Sequence, residues 1–495
     1  MERKLTQETL PVWRCGCTAQ KQCLVTAESV VPDTLPDVGR IVWVQSGLLL
    51  KSKELRPEGL SLAGELWASV LYLREGLDGL ESLRLTKPFR LDFDTPQPDP
   101  EAPPELSWRI DRTEARALNP RKIQASFAVS ARLRCYERSV LAVGAALPEP
   151  DAGLHLLEKK MEVLALTGVW EKRFSMREQI PVPAGRPCPA RLIGEELRFE
   201  ELQAEQVGSR TVLKGRLQLR VTGLDERGLP QTLPFTLPFS QLLDTGDRDW
   251  ARYRLRIEPC SCYLNWTEGA AGERSLDAEI HAVAQFCVWS QVQTQFVTDG
   301  YSTRMPCRIE GEERSFLRRL ERESLRLRAE TSLPMPDDGA ELLAAQGFWE
   351  PLEASREGSG QTLNLDLLLR TKEGGLDCAR RILRLEGEAL PEGTEAPEMR
   401  ESLLDLRAEE GKLSLRCESE GTFLREERQT LFCVTGLSLD EDQGREMSPA
   451  PELYLVRRRE GESLWDLAKA FRSSPEAIAA CNAEGAQTLL IPAET

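Results

Sequence analysis

Along most of this chain apolar and polar residues alternate with a period of two, in short runs punctuated by Pro, Gly and Asp. The clearest runs are Ile41–Val44, Leu60–Leu73, Leu83–Leu85, Phe89–Phe93 and Ile123–Val129. Such alternation predicts antiparallel strands with one buried and one solvated face. Residues 1–20 have a polar character and read as a lead-in, with Trp13 the one aromatic among them. The acidic, proline-rich stretch Asp94–Glu105 predicts a solvated connection, and Pro148–Asp151 predicts the end of a unit. One segment departs from the rhythm: Ser315–Arg328 is rich in Arg, Glu and Leu and has the composition of a helix.

The strand pattern repeats. Gly64 within Leu60–Leu66 is followed 24 residues later by Pro88-Phe89 (88 − 64), and Gly215 within Thr211–Leu217 is followed 23 residues later by Pro238-Phe239 (238 − 215). The closing strands Arg121–Ala125 and Arg274–Ala278 also correspond. Their offset of 153 (276 − 123) agrees with the glycine offset of 151 (215 − 64), so two landmarks give one period and predict a duplicated domain. A third, degenerate copy is expected over residues 297–439, with Leu363–Leu367 as a middle strand and Gly411–Arg416 opening the closing strand. Its Gly and Pro-Phe landmarks are not recognisable. The expected organisation is a lead-in (1–20), β domains at 21–150, 151–296 and 297–439, a tether (440–451) and a C-terminal module (452–495). The fold class is mainly β: tandem antiparallel β-sandwich-like repeats followed by a small βααβ domain.

The C-terminal stretch Tyr454–Pro492 carries a different signature. Tyr454 and Val456 form one face of a short strand, and Leu490 and Ile491 belong to another. Between them Ser463 with Asp466 predicts a capping box, followed by Leu464, Leu467, Ala468 and Phe471 at helical spacing. Ser474-Pro475-Glu476 predicts a second helix start, with Ala477, Ile478 and Cys481 as its apolar face. Tyr454, Val456, Gly461, Ser463, Leu464, Trp465, Leu467, Ala468, Asn482, Leu490, Ile491 and Pro492 together resemble the LysM module. In that family a glycan groove lies between the loop before the first helix and the loop after the second. Here four residues, Arg457–Glu460, separate Val456 from Gly461, so the first loop is longer than the family's, and the second is short.

Tandem β units of this size followed by one LysM resemble the SPOCS–LysM spore morphogenetic proteins of the SipL type and, at one remove, the SpoVID-like ones. The residues that carry this are Val31-Pro32, Leu35-Pro36-Asp37, Gly64 and Pro88-Phe89, with Ile180-Pro181, Gly215 and Pro238-Phe239 in the second copy. The resemblance implies a scaffold on the mother-cell side of the forespore that promotes coat encasement. It also implies that the LysM module binds a SpoIVA-type coat ATPase, with other coat proteins as further partners. The partner-binding residues expected on this reading are Arg457, Arg458, Arg459, Gly461, Ser463, Leu464, Trp465 and Asn482. A peptidoglycan-binding cell-wall protein is the alternative.

Composition sharpens the choice. The chain has 495 residues, 41% hydrophobic and 29% charged, which suits several globular domains. A formal charge of −16 argues against nucleic acid as a partner. No apolar run is long enough for a transmembrane segment. The first residues lack the apolar core of a secretion signal, so a cytoplasmic location is expected. The thirteen cysteines have no regular framework and read as reduced thiols. The close pairs Cys15/Cys17 and Cys260/Cys262 have no Cys-x-x-Cys or histidine pairing beside them. Small residues on one strand face therefore outweigh a zinc site completed by Cys23 or Cys287. His155 and His281 lie in separate units with no nucleophile elbow around any serine, and no Gly-rich phosphate loop is present. No catalytic, cofactor or metal residue is therefore expected, and the protein reads as a non-enzyme. Arg457–Arg459, in an acidic chain, read either as a solvated charge run or as a dock for an acidic partner.

Overall fold

A computed structural model of the chain describes residues 2–76, 79–96, 99–146, 153–182, 189–226, 228–268, 274–335, 340–355, 357–391, 394, 397, 399–409, 412–440 and 452–493. After β1 (Glu2–Lys4) come three units built to one plan. The first contains β2 (Thr6–Val30), β3 (Val38–Arg56), β4 (Gly59–Arg74), β5 (Leu80–Asp94), β6 (Glu105–Asn119) and β7 (Lys122–Ala146). The second contains β8 (Leu154–Pro181), β9 (Arg191–Val207), β10 (Arg210–Leu224), β11 (Pro230–Asp244), β12 (Arg252–Glu268) and β13 (Arg274–Ser302). The third contains β14 (Cys307–Pro334), β15 (Glu341–Trp349), the short β16 (Glu353–Ala354), β17 (Ser359–Arg370), β18 (Leu376–Gly387), β19 (Arg400–Glu409) and β20 (Lys412–Leu439).

In every unit the first strand pairs antiparallel with the last, and the last pairs with the strand before it. The three middle strands form an antiparallel meander: β3–β4–β5, β9–β10–β11 and β15–β17–β18. Alternation explains the packing. In the first unit Leu66, Ala68, Val70 and Tyr72 of β4 meet Ile123, Ala125, Phe127 and Val129 of β7 in a closed core. Corresponding cores are built around Phe286 and Leu217 in the second unit and around Leu363 and Leu415 in the third.

The sequence landmarks acquire a physical meaning here. Gly64 sits directly across the ladder from Phe89, and Gly215 from Phe239. A Cβ on Gly64 would stand 2.6 Å from the Phe89 ring and 2.7 Å from Trp108; on Gly215 it would stand 2.8 Å from Phe239. The ring therefore lies over the bare glycine backbone. In the third unit the position five residues into the central strand is Asn364, paired with Ile382, which is why the glycine landmark has no counterpart there. Gly64→Ala gains a few tenths of a kcal/mol to about 1 kcal/mol in strand preference. It loses about 1–3 kcal/mol to overpacking. A lower urea midpoint is expected, and an unchanged one would mean that the Phe89 ring gives way freely.

The first and last strands are long: 25 residues for β2 and β7, 28 and 29 for β8 and β13, and 28 each for β14 and β20. At about 3.3 Å per residue they run roughly 80–95 Å. Strands of this length must bend, and each first strand carries an extra, unpaired residue where it does: Gly16 in β2, Thr167 in β8 and Arg318 in β14. These bulges are each 151 residues apart (167 − 16 and 318 − 167). Beyond them the units share cores. Tyr136, Leu166, Trp289, Leu317 and Leu320 pack together from all three units, as do Trp43, Ile193 and Leu368 from the three meanders.

Several sequence expectations change. Residues 1–20 are not a lead-in: β2 begins at Thr6, and its mostly exposed positions in this stretch leave no apolar alternation to read. The boundary at 296/297 falls inside β13, which continues to Ser302. Ser315–Arg328 is strand, not helix. The bulge at Arg318 shifts the alternation by one residue, so Phe316, Leu317 and Leu320 fall at a spacing that mimics a helix. Gly16 breaks the common face expected of Cys15 and Cys17: Cys15 is exposed while Cys17 packs beside Leu133 and Cys135. A bulge at Cys260 does the same to Cys260 and Cys262. Gly411, Pro148–Asp151 and residues 441–451 of the expected tether lie outside the described residues. Among the described residues no helix is long and apolar enough to cross a membrane.

Candidate functional site

The C-terminal module consists of β21 (Leu453–Arg457), α1 (Leu464–Phe471), α2 (Pro475–Cys481) and β22 (Thr488–Pro492). Its local signals work as the sequence suggests. Ser463 Oγ accepts from Asp466 N at 3.1 Å, and Ser463 N donates to Asp466 Oδ2 at 2.9 Å, closing a capping box. Ser463 Oγ also donates to Asp466 Oδ2 at 2.6 Å, and this bond, with that from Ser463 N, holds the Asp466 carboxyl below its ordinary range. Ser474 caps α2, with Pro475 as its first residue. Leu467, Ala468, Ile478, Leu489 and Ile491 are buried beneath Tyr454, Val456, Leu464 and Phe471. This core is small, near the limit of what folds unaided.

The eight residues expected to bind a partner fall into three groups. Ser463, Gly461 and Asn482 shape the module. Gly461 has φ +83°, a left-handed turn that favours glycine. Asn482 Nδ2 donates to Ile478 O and Leu490 O at 2.7 Å each, while its Oδ1 accepts from Leu490 N at 2.7 Å. It thereby pins the end of α2 to β22. Leu464 and Trp465 form the second group, facing inward or toward the second unit. Trp465 Nε1 donates to Asp299 Oδ2 at 2.8 Å, and its ring stands edge-on to Tyr301 at 4.8 Å. Lys469 Nζ meets both Asp299 oxygens at 2.7 and 2.8 Å, and Tyr301 OH donates to Ser473 O at 2.6 Å. His155 stacks on Tyr301 at 5.0 Å.

Sequence reasoning missed Asp299 and Tyr301. A bulge in β13, between Val297 and Asp299, leaves Thr298 unpaired and aims Asp299 and Tyr301 at the module together. Burial raises the Asp299 carboxyl, but hydrogen bonds from Lys469 and Trp465 outweigh it and hold it below its ordinary range. The only sequence signal was an Asp-Gly-Tyr at the end of the apolar run Phe296-Val297.

The third group is the arginine run, which is exposed. Arg458 Nε donates to Glu462 O at 2.7 Å, and Arg459 N to Glu462 Oε2 at 3.0 Å, so the loop closes on Glu462 and leaves its guanidinium groups at the surface. Beside it lies a feature the alternation implies once Tyr454 and Val456 point inward. Leu453, Leu455 and Leu490 point outward and are 54%, 71% and 39% exposed. Leu455 pairs directly with Leu490, and Arg457 with Thr488, so the outer face of this two-stranded sheet is an apolar ladder ending in arginine. Isolated exposed leucines are ordinary, but three on one small face form a patch.

The two histidines are engaged in packing and pairing: His155 with Tyr301, and His281 Nε2 with Glu279 at 3.1 Å. Among the described residues no group of three or more His, Cys, Asp or Glu is placed to hold a metal ion. No protein-family model, curated protein or solved structure matches the chain.

Proposed function

We propose that this protein is a non-enzymatic scaffold of spore-envelope assembly, acting in the mother-cell cytoplasm at the forespore surface. Its C-terminal module docks on a SpoIVA-type coat ATPase, and its β units hold other coat proteins. The setting comes from the resemblance of the tandem units and the module to the SPOCS–LysM proteins. The observation that carries the binding reading is the exposed ladder of Leu453, Leu455 and Leu490 beside Arg457–Arg459. An apolar centre with a basic rim suits a protein surface that is itself apolar and acidic-edged. Trp465, one of the eight residues expected to bind a partner, is engaged by Asp299 and Tyr301 within the chain.

The test uses the full chain against two baits, the ATPase and insoluble peptidoglycan. Leu455→Glu is expected to weaken ATPase binding by about thirtyfold or more, the effect of losing a central apolar anchor. Arg458→Glu is expected to slow association and to weaken the salt dependence. Retention on peptidoglycan alone, unaffected by Leu455→Glu, would replace this reading with a wall-binding one.

A further inference from the structure

Cys17 and Cys135 stand directly opposite each other where the first strand of the first unit, β2, pairs with its last, β7. Residues so placed in an antiparallel ladder have Cα atoms about 4.5 or 5.5 Å apart, according to the kind of pair they form. A disulfide spans Cα atoms about 4.4–6.8 Å apart, so either distance suits one. The side chains also meet: the Cys135 thiol is in hydrogen-bond contact with that of Cys17. Among the described residues no other two cysteines face each other across a ladder.

The two thiols differ in access. Cys17 is partly exposed, whereas Cys135 is 4% exposed, in a core with Leu106, Trp108, Ala131 and Leu133. Burial, with the Cys17 thiol beside it, pushes the Cys135 thiol up to about 12. A thiol held protonated and out of solvent is spared by reagents in solution and reacts with what its neighbour brings to it. Gly16, outside the ladder and without a side chain, precedes Cys17 and gives the backbone room to turn its Cβ toward Cys135. Cys15, on the other side of that bulge, is exposed; its sulfur donates to Cys17 O at 3.5 Å and lies 3.6 Å from Thr18 Oγ1.

We infer that Cys17 and Cys135 form a reversible cross-strand disulfide, a redox modification site whose oxidant is a low-molecular-weight disulfide. The Cys17 thiolate attacks one sulfur of the oxidant, the oxidant's S–S bond breaks, and one thiolate leaves. Cys135 then gives up its proton and attacks the Cys17 sulfur of the mixed disulfide, expelling the second thiolate. The chain loses two electrons and the oxidant gains them, while the two protons from the cysteines end on the two released thiols. The second step draws on proximity, since the attacking sulfur is already in contact. The new bond ties the opening strand of the unit to its closing strand, so the oxidised chain resists unfolding more than the reduced one.

The experiment exposes the full chain, without denaturant, to oxidised glutathione. Remaining thiols are then alkylated in denaturant, and linked peptides are mapped by mass spectrometry. A link between the peptides carrying Cys17 and Cys135 is expected in the parent chain and in Cys15→Ser, where Cys17 alone can supply it. Dithiothreitol should reverse it without unfolding. Cys17→Ser, a change at a partly exposed position, should leave Cys135 reduced and fully alkylated. The urea midpoint should rise on oxidation of the parent chain and stay unchanged in Cys17→Ser. Full alkylation of Cys135 in the oxidised parent, a bond joining Cys15 to Cys17 in its place, or a bond that forms only in denaturant would overturn the inference.

Discussion

Replacing Glu105 by glutamine is expected to destabilise the folded chain by about 3–5 kcal/mol, the largest effect of any single polar substitution proposed for this molecule. The variant keeps the side-chain shape but leaves Arg134, Arg254 and Arg256 without their shared carboxylate. The loss comes from removing a buried counter-charge while the partly buried cations around it stay, not from the net value of the ion pairs, which burial largely offsets. The same group predicts a pH dependence. Burial pushes the Glu105 carboxyl up, but Arg254, Arg134 and Arg256 outweigh it and bring it from 4.5 to about 2. An acid whose folded value is depressed contributes stability that is fully present above its unfolded value. That contribution is lost as pH falls from about 4.5 toward 2. Urea midpoints measured across this window should fall for the parent chain, and fall less steeply for Glu105→Gln. Equal slopes would mean that Glu105 is not the acid responsible.

Tyr301→Ala is expected to release the C-terminal module from the second unit. Tyr301 is 5% exposed, donates to Ser473 O and supports the Trp465 ring edge-on. Truncating a buried aromatic anchor at the centre of a docking surface removes about 2–4 kcal/mol. The undocked population should rise by a factor of about thirty or more. Asp299→Asn should have a smaller effect, because the Lys469 ammonium and the Asp299 carboxylate are partly exposed and solvent screens their attraction. Hydrogen exchange is the readout. Faster exchange across α1 and the end of β13, with β21 and β22 still protected, would show undocking without unfolding. Loss of protection throughout the module would show instead that the module depends on Tyr301 to fold. Undocking also exposes Trp465, so a gain in partner or glycan binding by Tyr301→Ala would mark the docked form as a closed one.

Much of the fold was legible because strands buried on one face advertise themselves. Leu66, Ala68, Val70 and Tyr72 alternate in the sequence and lie in the core, and Gly64 with Phe89 proved to be one contact across a ladder. The helix read at Ser315–Arg328 failed for a local reason. A bulge inserts one residue and converts a period of two into a spacing that resembles three to four. The capping box at Ser463 was legible because its partners are three residues apart. The Tyr301 dock and the Glu105 cluster were not. Glu105 meets Arg254 only because two units pack side by side, and nothing local to either residue signals the other. The outward leucines were implicit in the inward Tyr454 and Val456, but their exposure depends on what else covers the sheet.

The pairing of first strand with last has a consequence for how the molecule comes into being. Thr6 meets Ala146, Leu154 meets Ser302, and Cys307 meets Leu439. A chain emerging from the ribosome holds the opening strand of each unit unpaired until the whole unit has been made. Such distant pairing is intrinsically slow, and a long unpaired edge invites capture by another chain. The three units should therefore close one after another, and synthesis slowed inside a unit should favour aggregation more than synthesis slowed between units. The last closure is the widest: β1 pairs with β20, Glu2 opposite Ser438, so residues 2–4 wait for the end of the third unit before they find their place.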